Sequence, residues 1–318
     1  MDEVLLISTG GTIVSSDAGE GFVPDKGAAR GMLSLAEELI NEKGRCGGIC
    51  SVFGDAGVDS SDMSPENWEL ITEKIYEAAD RCVKKFLVIH GTDTMAYTAA
   101  WLSLTLPAGV SVVLTGSQRT QGACDFDGAD NLRGAVDSLF SGRSGVFVHF
   151  AGRDYDGAYV HKEDASGLAA YVSSGKGRPQ PFCLRGIKNK GSWQTVAEQI
   201  GLIHLHPAAL PHFTQRRIMI LEGYGSGNMP SRIHSMLCDA YGAEAEKPVI
   251  IAASSCALGE KSASVYGGVG IAGLAKKNFH VFDQGNYSLE FLIALSYLSL
   301  SAEGERPEDI LSLYLQKY

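Results

Sequence analysis

Over its first 150 residues the chain alternates short apolar runs with longer amphipathic stretches. Runs at 4–8, 49–53, 86–90, 110–115 and 145–150 are rich in Val, Ile, Leu and Phe and end in turn residues, which predicts buried strands. Helices are predicted between them at 28–42, 94–106 and 130–140. Another lies within "SPENWELITEKIYEAADRC", where Trp68, Ile71, Ile75, Ala78 and Cys82 share one face at spacings of three and four. Ser64 and Pro65 read as its N-cap and first-turn pair. Strand and helix repeated in this order predict a parallel sheet covered on both faces.

The pattern weakens further on. Residues 151–185 are mixed and glycine-rich, and 186–215, with Pro207 and Pro211, read as a connection between domains. A smaller alternation follows, with strands at 217–221, 248–254 and 280–282 and helices at 231–240, 288–300 and 307–317. The domains expected are therefore 1–185 and 216–318, with 186–215 as linker.

Composition narrows the partners. A chain of 318 residues, 45% hydrophobic and 20% charged, has the balance of a globular protein with a sizeable core. Its formal net charge of −10 argues against nucleic acid, which needs clustered cations, and against an anionic membrane surface. No apolar run approaches the roughly 20 residues of a membrane span. "MDEVLLIS" opens with two acids and lacks the apolar length of a secretion signal. The seven cysteines are scattered and odd in number, so reduced thiols and a cytoplasmic location are expected. Cys46 and Cys50 have no second Cys/His pair at zinc-ligand spacing, and neither a metal nor another cofactor is expected.

Three predicted strands run directly into glycine and hydroxyl residues, in "LLISTGGTI", "LVIHGTDTM" and "VVLTGSQRT". In open α/β sheets ligands bind outside the carboxyl ends of strands, where helix N-termini and free backbone N–H groups converge. Glycine there lets backbone approach a ligand without a Cβ in the way. Competing readings have less behind them. No P-loop Gly-Lys-Ser/Thr is present, and Gly268-x-Gly270-x-x-Gly273 lacks the strand and acid that a dinucleotide fingerprint requires. No G-x-S-x-G elbow is present, and His90 reads as a packed or capping histidine rather than a catalytic one.

The ordered combination of "TGGTI", "VDSSDMSPENW", "IHGTDTMAYTA", "VVLTGSQ" and "DFDGADNLRGAVD" resembles the bacterial L-asparaginase family, and "VDSSDMSPENW" is most similar to its cytoplasmic type I branch. The similarity is dense over residues 1–165 and thin after 215. With the alternation above, it implies an α/β fold. A larger N-terminal flavodoxin-like parallel-sheet domain would precede a smaller C-terminal Rossmann-like one. The resemblance makes Thr12 the nucleophile on the side-chain amide of L-asparagine, and makes Thr92, Asp93 and Lys162 a hydrogen-bonded relay. It assigns Ser60, with Asp59 and Ser61 beside it, to the substrate α-carboxylate, and Asp93 to its ammonium group. Gly11 and Gly91 would bring backbone donors to the substrate. No metal enters this chemistry, weaker action on glutamine is allowed, and a homodimer or homotetramer is implied.

Two features depart from the family pattern. The loop "SSDAGEGFVPDKG" takes the place of a lid, but Phe22 stands where the family has a tyrosine. Tyr97 and Tyr155 are alternative sources of the missing hydroxyl. "ASSCALGEKSASVYGG" also differs from the family's glycine-rich passage, and Cys256, near the type I effector pocket, reads as a buried small residue. Two rival readings are an ammonia-supplying amidotransferase subunit and a non-catalytic amino-acid sensor. The amidotransferase subunit has an additional N-terminal domain, whereas "TGGTI" begins here at residue 9. If Phe22 occupies the lid position, Phe22→Tyr raises the rate of ammonia release from asparagine; an unchanged or lower rate removes Phe22 from that position.

Overall fold

The computed structural model of the chain describes residues 3–17, 22–24, 26–54, 57–182, 192–242, 246–259, 261–262 and 271–318, with backbone alone at 15–17, 22–24, 26 and 272. Its contacts divide it into two units, Met1–Leu184 and Arg185–Tyr318. The first unit opens with β1 (Glu3–Ser8), β2 (Ser15–Asp17), β3 (Phe22–Pro24), α1 (Lys26–Glu42), β4 (Cys46–Ser51) and α2 (Pro65–Ala79). It continues through β5 (Lys85–Ile89), α3 (Met95–Thr105), β6 (Ser111–Thr115), α4 (Gly128–Leu139) and β7 (Gly145–Phe150), then β8 (Arg153–Asp156), β9 (Val160–Lys162) and β10 (Tyr171–Ser173).

Six strands form one sheet in the order β4-β1-β5-β6-β7-β8, parallel except for β8, which runs antiparallel to β7. From β1 the chain goes to one side for β4 and then crosses back to the other for β5. The order therefore reverses between β1 and β5, as in flavodoxin-like sheets. The central strands show why they pair there. "KFLVI" and "SVVLT" are buried almost throughout, as strands covered by helices on both faces must be. On one face Ile13, Met32, Ala36, Ile40, Leu132, Val136 and Leu139 join the sheet in a continuous apolar cluster.

On the sheet's other side α3 is buried around nearly its whole circumference. Trp68 of α2 stacks on Trp101 at 5.9 Å, and the Trp101 indole N–H donates to Thr72 Oγ1 at 2.9 Å. The hydroxyls of Ser103 and Thr105 bond back to carbonyls four residues earlier, at 2.8 Å each, so this apolar environment leaves neither unsatisfied.

Local signals set several boundaries, and pairing overrides others. At α2, both the N–H and the hydroxyl of Ser64 donate to Asn67 Oδ1, at 2.7 and 2.9 Å, and Pro65 opens the helix. The helix stops at Ala79, however. Cys82 is exposed with φ 69°, so it leaves the apolar face on which the periodicity puts it. β4 begins at Cys46 rather than 49, because its register with β1, from Glu3↔Cys46 to Ser8↔Ser51, draws Gly47 and Gly48 into the strand. Within 151–185 the chain forms β8 and the antiparallel pair β9–β10, none of which periodicity indicates.

The second unit contains α5 (Trp193–Ala197), β11 (Ile200–His204), β12 (Ile218–Gly223), α6 (Ser231–Tyr241) and β13 (Val249–Ser254), followed by α7 (Ile271–Ala275), β14 (Val281–Asp283), α8 (Leu289–Ser301) and α9 (Pro307–Leu311). Its four strands are parallel and lie in chain order, β11-β12-β13-β14, so no reversal point occurs among them. Two expectations change here. The segment read as a 186–215 linker carries α5 and β11; residues 186–191 lie outside the described residues. β11 is an edge strand with no fully buried residue, and Leu202 is 47% exposed, so it lacks the apolar run by which its neighbours are recognised. Cys256, read as buried, is exposed. Gly268 and Gly270 lie outside the described residues. Among the described residues no helix is long and apolar enough to cross a membrane.

His90, directly after β5, is fully buried. A carbonyl only accepts, so Nδ1–H must donate to Gly91 O at 2.8 Å, and Nε2 then accepts from Thr98 Oγ1 at 2.9 Å. Burial disfavours the imidazolium and lowers the pKa to about 4. The folded value lies below the unfolded one, so this contribution to stability is complete above about pH 6.5 and is lost as pH falls towards 4, by about 3 kcal/mol in all. Urea denaturation between pH 7 and 4 should show this slope in the wild type and lack it in His90→Asn.

Candidate functional site

The reversal between β1 and β5 is where a ligand crevice is expected, and three loops meet there. After β1, both the N–H and the hydroxyl of Thr9 donate to Ile89 O at the end of β5, at 2.9 and 3.1 Å. Gly10 and Gly11 then take φ of 116° and 97°, and Thr12 opens a short 3-10 turn, Thr12–Val14. A Cβ on Gly11 would lie 2.3 Å from Gly91 Cα, and one on Gly91 would lie 2.5 Å from Ser60 Oγ. Glycine at both positions therefore lets the loops after β1, β4 and β5 touch. The Thr94 hydroxyl adds a tie between the last two, donating to Ser60 O at 2.7 Å.

Thr92 stands at the centre of the polar contacts and is 5% exposed. Its Oγ1 accepts from Lys162 Nζ at 2.9 Å and donates to Gln118 Oε1 at 3.1 Å. The Tyr171 hydroxyl donates to Thr92 O at 2.6 Å. Lys162 Nζ also lies 2.7 Å from Asp93 Oδ1. The lysine side chain is only 16% exposed whereas that of Asp93 is 63% exposed, so the ammonium links a covered hydroxyl to a carboxylate open to solvent. Lys162 ends β9 and pairs with Tyr171 of β10, so one hairpin supplies both groups that bind Thr92 from that side.

The structure thus brings together Thr92, Asp93 and Lys162 by side-chain bonds and Gly11, Gly91 and Ser60 by close packing. Thr12 joins them through its neighbour Gly11. Asp59 and Ser61 are exposed and engage each other, since Asp59 Oδ1 accepts the N–H and the hydroxyl of Ser61 at 2.9 Å each. They cap the 3-10 turn that presents buried Ser60. Phe22 lies on β3 opposite Asp17 of β2; its side chain lies outside what is described. Of the alternative tyrosines, Tyr155 is buried in β8 with its ring 6.4 Å from that of Tyr171.

Sequence singles out neither Gln118 nor Tyr171, and presents Thr94 only as one hydroxyl of the strand end in "LVIHGTDTM". Gln118 sits inside "VVLTGSQ", and its place after a strand end was the available signal; Tyr171 had none. Gln118 Nε2 donates to Gly167 O at 3.1 Å. The turn carrying Gly167 is closed by Asp164, whose Oδ1 accepts from Gly167 N at 2.8 Å and Ser166 N at 2.9 Å. Those N–H groups, Gly167 first, hold the Asp164 carboxyl below its ordinary range. Among the described residues no three His, Cys, Asp or Glu side chains stand together as metal ligands.

Residues 3–190 match the family described as "Asparaginase, N-terminal". The chain belongs to the asparaginase family. L-asparaginase 1 of Escherichia coli is 30% identical over 247 residues, 70% of each chain. A glutamyl-tRNA(Gln) amidotransferase polypeptide of Methanococcus vannielii is 28% identical over 267 residues, 74% of this chain, and the match spans only 61% of that relative's own length. The solved thermostable L-asparaginase of Thermococcus kodakarensis has the same fold, with a TM-score of 0.74 over 98% of this chain and 96% of that one, at 23% identity.

The glycine contact at the centre of the site can be tested directly. Gly11→Ala combines a positive φ with a Cβ driven into backbone, and should destabilise the fold by at least about 2 kcal/mol. Gly44→Ala, also at positive φ but with open space around it, should cost about 1 kcal/mol. Urea melts of the two variants compare them; equal costs would mean the loops do not meet at Gly11.

Proposed function

We propose that the chain is an amidohydrolase that converts L-asparagine to L-aspartate and ammonia, with weaker action on glutamine. The observation that carries this reading is Lys162, whose ammonium lies 2.9 Å from the Thr92 hydroxyl and 2.7 Å from Asp93. A threonine hydroxyl is a poor nucleophile at neutral pH and needs a partner that takes its proton. In this proposal Thr12 Oγ1 forms a bond to the amide carbon, and its proton passes to the departing nitrogen. The C–N bond breaks, ammonia leaves, and an acyl-threonine ester remains. Water activated beside Thr92, Lys162 and Asp93 cleaves that ester to give aspartate and free Thr12. Backbone N–H groups beside Thr12 and Thr92 stabilise the oxyanion, each worth about 3 kcal/mol. Ser60 receives the substrate α-carboxylate, and Asp93, open to solvent, receives the α-ammonium. Thr12 and Thr92 thereby approach one amide from two strand ends.

The type I assignment remains part of the proposal and rests on "VDSSDMSPENW". A cytoplasmic location and a homodimer or homotetramer belong to the same reading; cell fractionation and sedimentation test them. The matches to amidotransferase polypeptides favour one second reading, in which the ammonia is passed to a partner. Its signature is slow release from free asparagine or glutamine that accelerates only with a partner protein.

Ammonia release from the purified chain decides between them. The wild type should turn over asparagine, while Thr12→Ala and Lys162→Met should each lose about a thousandfold or more in kcat. Asparagine binding without ammonia release would overturn hydrolysis in favour of a sensor. A Thr12→Ala variant as fast as the wild type would remove Thr12 as nucleophile.

A further inference from the structure

The stretch "DFDGADNLRGAVD" has no part in the chemistry above, yet two of its polar side chains hold the edge of the site. Asp127 precedes α4. Its carboxylate accepts the N–H of Gln118 at 3.1 Å on both oxygens and the N–H of Arg119 at 3.0 Å. Asn131, four residues on and 2% exposed, donates through Nδ2 to Asp127 Oδ2 at 2.9 Å and to Gly116 O at 3.0 Å. Its Oδ1 accepts the N–H of Ala151 at 2.9 Å. Residues four apart share a helix face, so one face of α4 binds the turns after both β6 and β7.

That grip fixes the backbone from which the Gln118 side chain leaves, and Gly167 fixes its amide. Gly167 O can only accept, so the amide nitrogen faces it, and Oε1 therefore faces Thr92. Oε1 in turn can only accept, so the Thr92 hydroxyl must donate to it. The Thr92 oxygen is then left to accept from Lys162.

We propose that Asp127 and Asn131 are positioning residues of the amidase site: acting through Gln118, they set the direction of the Thr92 proton and aim its oxygen at Lys162. The inference rests on the function proposed above. If the pair merely started a helix, the Thr92 hydroxyl would not respond to its loss.

The test uses Asp127→Ala and Asn131→Ala in the full chain. Each variant should lower kcat for asparagine about tenfold with KM within about twofold, the scale of a misplaced group rather than a lost one. A lower melting temperature with unchanged kcat in both variants overturns the proposal. A crystal structure of Asp127→Ala provides a readout independent of turnover. Loss of the Gln118–Thr92 hydrogen bond supports the positioning role and its persistence overturns it. If the wild type releases no ammonia, the proposed function has failed, and this crystal structure alone decides the inference.

Discussion

The site depends on one close approach, backbone against backbone, between Gly11 and Gly91. Strands β1 and β5 are hydrogen-bonded neighbours, and their carboxyl ends point the same way because the sheet is parallel. Loops leaving adjacent parallel strands would ordinarily be kept apart by their side chains. Here each loop removes the obstacle with glycine, and each carries a threonine as its next residue. The geometry of the pair Thr12 and Thr92 therefore follows from the absence of two Cβ atoms rather than from any bond between the threonines.

The rest of the site serves to hold this arrangement under charge. Lys162 and Asp93 sit where an ion pair is partly open to water, so neither charge bears the full cost of burial. The Lys162 ammonium has several donors and divides them between a hydroxyl and a carboxylate. Thr92, almost covered, is bound from three directions by Lys162, Gln118 and Tyr171. In the proposed relay such restraint leaves little reorganisation at the moment of reaction.

Placement within the fold explains why the candidate site lies in the first unit. Its sheet reverses direction between β1 and β5, whereas the described strands of the second sheet follow one another in order. Only the reversal leaves two neighbouring loops diverging to opposite faces, with a crevice between them. His90, buried and uncharged at the same strand end, belongs to the support of that crevice; it ties Gly91 O to Thr98 of α3.

The alternation of the first unit, the glycine–hydroxyl strand ends and the α2 start at Ser64 and Pro65 are legible in the sequence, because each is written in spacing or in a residue with one backbone preference. The sequence also brought out Thr12, Thr92, Asp93, Lys162 and Ser60 through ordered motifs. Tertiary structure decided what pairing and distance control. β11 is a strand because β12 offers it an edge, and β4 begins early because β1 sets its register. Cys82 leaves its helix because the chain turns at Ala79. Gln118 and Tyr171 reach Thr92 from 26 and 79 residues away along the chain, and no local pattern encodes such separations. A hydrogen bond is decided by where two atoms end up, and for distant residues only the folded chain settles that.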